Sequence, residues 1–341
     1  MVKTPLRSLG RKARRGALSR EHGSGEPRHL RSLDSEITGD HEPTTAFVLS
    51  GGGHLGAIQV GMLRALFEAG ITPDVYVATS VGALNASVCA AIPGIPGVDH
   101  LEDTWRRLET EDLLPASSVE QAVSIARGRN HLHPSSGVVS VITSAVPATH
   151  FHDLSVPLRI VTTELTTGEE RVFAAGSLMR PLLATTAIPG LLPPVQIGGE
   201  LFVDGGVVNN VAISHAVECD RVFALALSDP QIDEIPSSSW GMLMRGYAMS
   251  RAMRLRLDIE RYMHETELIV VPMPQIPDDV KFPDMSFTPE LITAGYLSTR
   301  AFLENGCEAA PPADDTMATP TRAVALHDTM LPDDDDTALG W

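Results

Sequence analysis

Ala46-Phe47-Val48-Leu49-Ser50-Gly51-Gly52-Gly53-His54-Leu55-Gly56 sets an apolar run directly before a glycine turn, and helical spacing follows over Leu55–Ala69. A run that is apolar at nearly every position suits a strand buried on both faces, as in a parallel sheet. Working outward, Ala46–Ser50, Val75–Thr79, Leu158–Thr163, Arg171–Ala174, Arg221–Leu227 and Leu268–Pro272 read as strands. Leu55–Ala69, Gly82–Ile92, His100–Leu108, Ser117–Arg127, Leu178–Thr186, Val211–Glu218, Gly241–Glu265 and Pro289–Glu304 read as helices. This alternation predicts an α/β fold, with a mostly parallel central sheet covered by helices on both faces. The stretch from Glu109 to Phe151 has several Pro and Gly residues and weak strand signals, and reads as a helical insertion or cap.

The glycine turn carries chemistry as well as shape. Gly51, Gly52 and Gly53 let the backbone turn sharply with its N–H groups outward, and the following helix adds its positive end, so the turn can hold a negative oxygen. Gly51, Gly53 and Gly56 also fit a dinucleotide fingerprint. That reading wants an acid at the end of the second strand, where Ala78-Thr79-Ser80 stands instead; Asp74 precedes the strand. A purely structural turn is the third reading.

The second strand runs straight into Ser80-Val81-Gly82-Ala83-Leu84-Asn85-Ala86. A serine on such a strand-to-helix turn can project its hydroxyl above the sheet, and the small residues Ala78 and Gly82 give strand and helix room to pass. The bland reading of Ser80 is a helix N-cap. A serine needs a base to become a nucleophile. Phe202-Val203-Asp204-Gly205-Gly206 offers one, because an apolar lead-in delivers the Asp204 carboxylate to a turn made tight by Gly205 and Gly206. Taken by itself Asp-Gly-Gly also reads as an ordinary turn. A Ser-His-Asp triad would want a histidine after the acid; His215 and His264 both fall within predicted helices rather than on a loop after a strand, which favours direct Ser–Asp chemistry.

Charge and composition bound the rest. With 341 residues and 43% apolar content the chain can bury a sizeable core. Its net charge of −17 argues against a nucleic-acid-binding body. Residues 1–43 are basic and without apolar periodicity, and 308–341 are acidic with the run Asp333 to Asp336, so both are expected to be disordered arms around a domain at 44–307. Cys89, Cys219 and Cys307 form no CxxC pair and suggest a reducing, cytoplasmic setting. No apolar run is long enough to span a bilayer, and no apolar stretch follows the basic start as in a secretion signal; peripheral membrane contact is left open. No His and Cys cluster has metal-ligand spacing.

The glycine turn, the serine elbow and Asp204-Gly205-Gly206, in this order, resemble the patatin-like phospholipase family. The likeness extends to Val161–Gly168, Ala184–Gly190 and Pro193–Val195, covering about Thr45 to Leu227, and continues more weakly to about Glu304. The family usually carries Arg or Lys where Leu55 stands, Gly where Ala78 stands and often Pro where Ala212 stands. The resemblance implies a patatin-like three-layer α/β/α fold and hydrolysis of phospholipid or other lipid esters. Ser80 and Asp204 would act as a dyad, and the Gly51–Gly53 turn as the oxyanion hole. It implies no cofactor or metal. A non-lipid esterase or thioesterase, or a nucleotide-binding scaffold, would use the same residues differently. The segment Trp240 to Met263, rich in Met and Arg, reads as a helix covering the sheet with its arginines in solvent, or as a membrane-facing or acyl-lining helix.

Overall fold

In β1 (Thr45–Leu49), alternate side chains go to opposite faces: Phe47 and Leu49 join one apolar cluster, Ala46 and Val48 another. The computed structural model describes residues 44–114, 117–227, 235–276, 280 and 283–307. The arms expected over 1–43 and 308–341 lie outside these residues. The same sorting repeats in β2 (Val75–Thr79) and β7 (Arg221–Leu225), where Tyr76, Ala78, Phe223 and Leu225 face one way and Val75, Val77, Val222 and Ala224 the other. One face of the sheet is therefore built of large and aromatic side chains. Phe47 meets Tyr76 and Phe223 edge-on, with ring centroids 6.0 and 5.7 Å apart. The other face is built of small and β-branched residues.

Among the described residues the sheet has eight strands. β1 pairs in parallel with β2 and β7, β2 with β3 (Leu158–Glu164), and β7 with β8 (Glu267–Val271). The fold is thus mixed α/β with a mostly parallel central sheet flanked by helices, as expected. α1 (Gly56–Glu68), α2 (Val81–Ala91), α3 (Ile95–Arg107), α6 (Ser136–Ala145), α7 (Met179–Thr185) and α9 (Thr288–Glu304) pack on the aromatic face. α8 (Ser239–Tyr262) packs on the other, through Leu255, Ile259 and Tyr262. Between α3 and α6 lie α4 (Thr110–Leu113) and α5 (Ser118–Ala126), so the expected insertion is helical.

Two departures from the sequence reading matter for function. Val211–Glu218 is not a helix: only a 3₁₀ turn, Ile213–His215, forms there. Val211, Ala212, Ile213, Ala216 and Cys219 plug the small-residue face as an irregular segment, and Ala212 at φ −80, ψ 56 breaks the helical path. The second departure is an antiparallel flap of β4 (Glu170–Phe173), β5 (Val195–Ile197) and β6 (Glu200–Asp204) around β3. Thr162 pairs with both Arg171 and Asp204, and Ile160 with both Phe173 and Ala78, so β2 and β6 share one edge of β3. Thr79 sits opposite Val161 and Asp204 opposite Thr162. Where β2 leaves that edge at Ser80, β6 arrives at it with Asp204.

Candidate active site

Register alone therefore brings the serine and the carboxylate together. The Ser80 hydroxyl donates to Asp204 Oδ2 at 2.6 Å, and Gly206 N–H donates to Asp204 Oδ1 at 2.7 Å. Ser80 is held at φ 53, ψ −130, a region that costs a non-glycine residue about 1–3 kcal/mol and persists only where surroundings enforce it. The enforcement is visible. Ser80 N–H donates to Thr185 Oγ1 at 2.8 Å, and that hydroxyl donates to the Val161 carbonyl at 2.5 Å. A Cβ at Gly82 would stand 2.5 and 2.6 Å from the carbonyl oxygens of Leu49 and Ser50, so only glycine lets α2 cross the end of β1. Ser80 stands at the N-cap position of α2, but its side chain makes no capping hydrogen bond and is turned to Asp204 instead.

Asp204 is 3% exposed, and burial raises its pKa above the usual carboxylate value. Three contacts pull the other way: the Ser80 hydroxyl, the charge of Arg251 and the Gly206 N–H. A hydroxyl that donates at this distance to a carboxylate freed of solvent can pass it a proton as the oxygen attacks an electrophile. His215 faces Glu170 at 3.3 Å and His264 follows α8, so neither histidine is bonded to Ser80 or Asp204.

The glycine turn lies beside this pair. Gly51 N–H donates to Asn210 Oδ1 at 3.1 Å, while the Asn210 amide donates back to the Gly51 carbonyl at 3.2 Å. The N–H groups of Gly52 and Gly53 meet no acceptor among the described residues. A Cβ on Gly51 would lie 2.8 Å from Ser80 Cβ, which shows how closely the turn approaches the serine. Gly56, at the start of α1, lets the Trp105 ring and Val81 close over it, and Gly205 passes against the Val161 backbone.

Below the turn runs a buried polar chain. Trp105 Nε1–H donates to Asn85 Oδ1 at 2.9 Å, and Asn85 Nδ2 donates to Gln59 Oε1 and the Gly56 carbonyl, each at 3.0 Å. Gln59 Nε2 donates in turn to the carbonyls of Ser50 and Leu225, each at 3.0 Å. α3, α2 and α1 are thereby tied to the ends of the two central strands.

An apolar pocket opens from Ser80 on the aromatic face, lined by Gly53, His54, Val81, Leu84, Trp105 and Met285 and walled by α6 and α7. Burial brings His54 down to about 4, against the pull of Asp284, so its ring is neutral near pH 7. Among the described residues Met285 is the one methionine lining this pocket; on α8, Met242, Met249 and Met253 are about half exposed. Among the described residues one group, His150, His152 and Asp153, places metal-type donors within 4.8 Å of one another; it is exposed and separate from Ser80.

Sequence reading missed Thr185, Asn210, Tyr247 and Arg251. Thr185 lies within Ala184–Gly190, and Asn210 lies four residues after Gly206. The other two come from the inner side of α8, where the arginines were expected in solvent: Arg251 is partly buried and donates from Nη2 to the Gly51 carbonyl at 2.7 Å.

The model of the patatin-like phospholipase family matches residues 47–217. Patatin-like phospholipase domain-containing protein 7 of Rattus norvegicus is 29% identical over 204 residues, covering 59% of this chain and 15% of that protein. Neuropathy target esterase sws of Drosophila erecta is 32% identical over 170 residues, covering 48% of this chain and 11% of that protein. The chain thus spans only a small part of the length of these relatives. Among solved structures, VipD from Legionella pneumophila aligns with a TM-score of 0.40 and 14% identity, covering 78% of this chain and 67% of that one.

Proposed function

This chain belongs to the patatin-like phospholipase family, and from that premise we propose that it is a serine acyl hydrolase acting on fatty-acyl esters of phospholipids or other lipids. The observation that carries this reading is the 2.6 Å bond from Ser80, on a strained elbow, to the buried Asp204. Ser80 Oγ attacks the ester carbonyl carbon while its proton passes to Asp204 Oδ2. The N–H groups of Gly52 and Gly53 hold the developing oxyanion, each such donor contributing on the order of 3 kcal/mol in the transition state. The tetrahedral intermediate expels the alcohol, which takes the proton from Asp204. Water then attacks acyl-Ser80, Asp204 again relays the proton, and the fatty acid leaves.

The apolar pocket beside Ser80 supports a fatty-acyl rather than a polar acyl group. A fluorophosphonate probe is expected to label the wild-type chain at Ser80 and to leave Ser80→Ala unlabelled. Equal labelling of the two would sink the reading.

Peripheral contact with the lipid surface is part of this proposal. No helix among the described residues is long and apolar enough to cross a membrane. The outer side of α8 exposes Met242, Leu243, Met249, Met253 and Leu257, spaced to lie on one face. Replacing Met249, Met253 and Leu257 together by serine is expected to lower recovery of the protein with floating anionic liposomes by about threefold or more, since each side chain gives up apolar burial. Unchanged flotation would dismiss this face as the contact.

A further inference from the structure

α8 passes over the site with two aromatic and cationic groups turned inward. Arg251 lies with its guanidinium carbon 5.1 Å from the centroid of the Tyr247 ring, one helical turn away. Its Nη2 donates to the Gly51 carbonyl at 2.7 Å, and it is the charged group that acts on Asp204. The Tyr247 hydroxyl, buried and without a partner among the described residues, would stand 3.2 Å from a Cβ on Gly206, the residue whose N–H holds Asp204.

Two consequences follow from this placement. A trans peptide points its carbonyl and the next N–H in opposite directions. Fixing the Gly51 carbonyl toward α8 therefore aims the Gly52 N–H away from α8. α8 packs on the small-residue face and the apolar pocket opens on the aromatic face, so the Gly52 N–H is turned away from the face that α8 covers. The second consequence is electrostatic. A buried carboxylate must be ionised to accept a proton, and burial alone opposes this.

We propose that Arg251 is the positioning residue of the hydrolytic site: its guanidinium, braced on Tyr247, orients the Gly51–Gly52 peptide and supplies the positive charge that keeps Asp204 an ionised base. The proposal rests on Ser80 and Asp204 being the hydrolytic pair. The surroundings of Asp204 leave this task to Arg251. α2 and α7 present the neutral Ser80 and Thr185. On β3, Glu164 is engaged by the backbone N–H groups of Thr166 and Thr167. On β4, Glu170 holds Asn209 and faces His215. On α8, Arg254 pairs with Asp258, which leaves Tyr247 and Arg251 beside Asp204. Burial pushes the Arg251 guanidinium down and the Tyr247 phenol up, and neither effect removes the positive charge near pH 7.

The test is the pH profile of kcat/KM for a soluble nitrophenyl acyl ester, in wild type, Arg251→Gln and Arg251→Lys. A base that must be ionised gives activity that falls as pH drops through its pKa. Removing a nearby positive charge raises that pKa, so the acid limb of Arg251→Gln is expected to move up by about one pH unit, costing about tenfold at the acid end. Glutamine can still donate to the Gly51 carbonyl, so the shift reports charge. Arg251→Lys keeps the charge on a shorter head: its acid limb should stay near the wild-type position while the plateau falls about tenfold from loss of peptide alignment. An acid limb of Arg251→Gln that coincides with wild type overturns the proposal. If the glutamine variant does not fold by circular dichroism, a full-unit shift in Arg251→Lys overturns it instead. These outcomes are separate from failure of the dyad, which would appear as fluorophosphonate labelling of Ser80→Ala.

Discussion

Substituting Asp204 by asparagine is expected to lower kcat/KM for a nitrophenyl acyl ester by about four orders of magnitude, with circular dichroism unchanged. Asparagine keeps the local geometry: an amide oxygen can still accept from the Gly206 N–H, the bond that fixes the turn after β6. What it cannot do is take the proton that Ser80 now offers Asp204 Oδ2 across 2.6 Å. Without that transfer the hydroxyl must attack with its proton in place, and a neutral hydroxyl is a poor nucleophile. Ser80→Ala should lose at least as much. The double variant should lose little beyond the worse single one, because two groups that act as a unit do not contribute additively. Initial rates of the three variants across pH check this. If Asp204→Asn kept a tenth of wild-type turnover, the carboxylate would not be the base.

The largest stability effect is expected at Trp105, far from the chemistry in sequence and directly beneath it in space. The side chain is 2% exposed, packs where Gly56 lacks a side chain, lines the pocket and donates to Asn85. Trp105→Ala leaves a cavity costing about 3–5 kcal/mol. It also leaves Asn85 Oδ1 without its donor, a further penalty of about 1–3 kcal/mol if water does not enter. For a domain of this size, a loss of that order lowers Tm by about 10 °C or more. Trp105→Phe keeps most of the ring and loses only the donor, so it should melt between the two. Thermal unfolding followed by circular dichroism gives the order. A Trp105→Ala protein melting within about 2 °C of wild type would refute the view of this residue as a tie between α3 and the glycine turn. Since the ring also walls the pocket, the surviving folded fraction should accept bulkier acyl chains.

Much of the candidate site's geometry was legible in the sequence because two of its parts are local. The glycine turn and the serine elbow are each a strand end joined to a helix start, so a dozen contiguous residues fix their geometry. Ser80 at positive φ and Gly82 against two carbonyls are the physical form of that pattern. Asp204 was legible as a candidate, but its route to Ser80 was not. β5 and β6 are short, partly exposed and antiparallel, and the apolar run in β6 is only Leu201–Val203, shorter than those of β1 and β7. The predicted helix over Val211–Glu218 failed for a related reason. Buried apolar residues at helical spacing there fill a gap beside the sheet without hydrogen-bonding as a helix.

Arg251 and Tyr247 were illegible because nothing nearby distinguishes them. α8 turns several methionines and leucines outward and some of its arginine and tyrosine inward, against the usual sorting, so its pattern reads equally well in either orientation. Only the 200 residues of intervening fold bring Arg251 to Gly51. That separation is also why the Arg251 variants inform on the tertiary assembly of the site.

The central strands sort their side chains into an aromatic face and a small-residue face, and the site straddles the sheet at their ends. Everything that would grip an acyl chain lies on the first face; the cation beside Asp204 comes from the second. On the proposed mechanism, reach toward substrate and the strength of the base are thus set by different layers with few residues in common. Natural drift or laboratory selection could re-cut Leu84, Val138 or Ile142 to suit another chain length without retuning the acid–base chemistry, and could exchange α8 residues to shift the working pH without altering which chain is accepted.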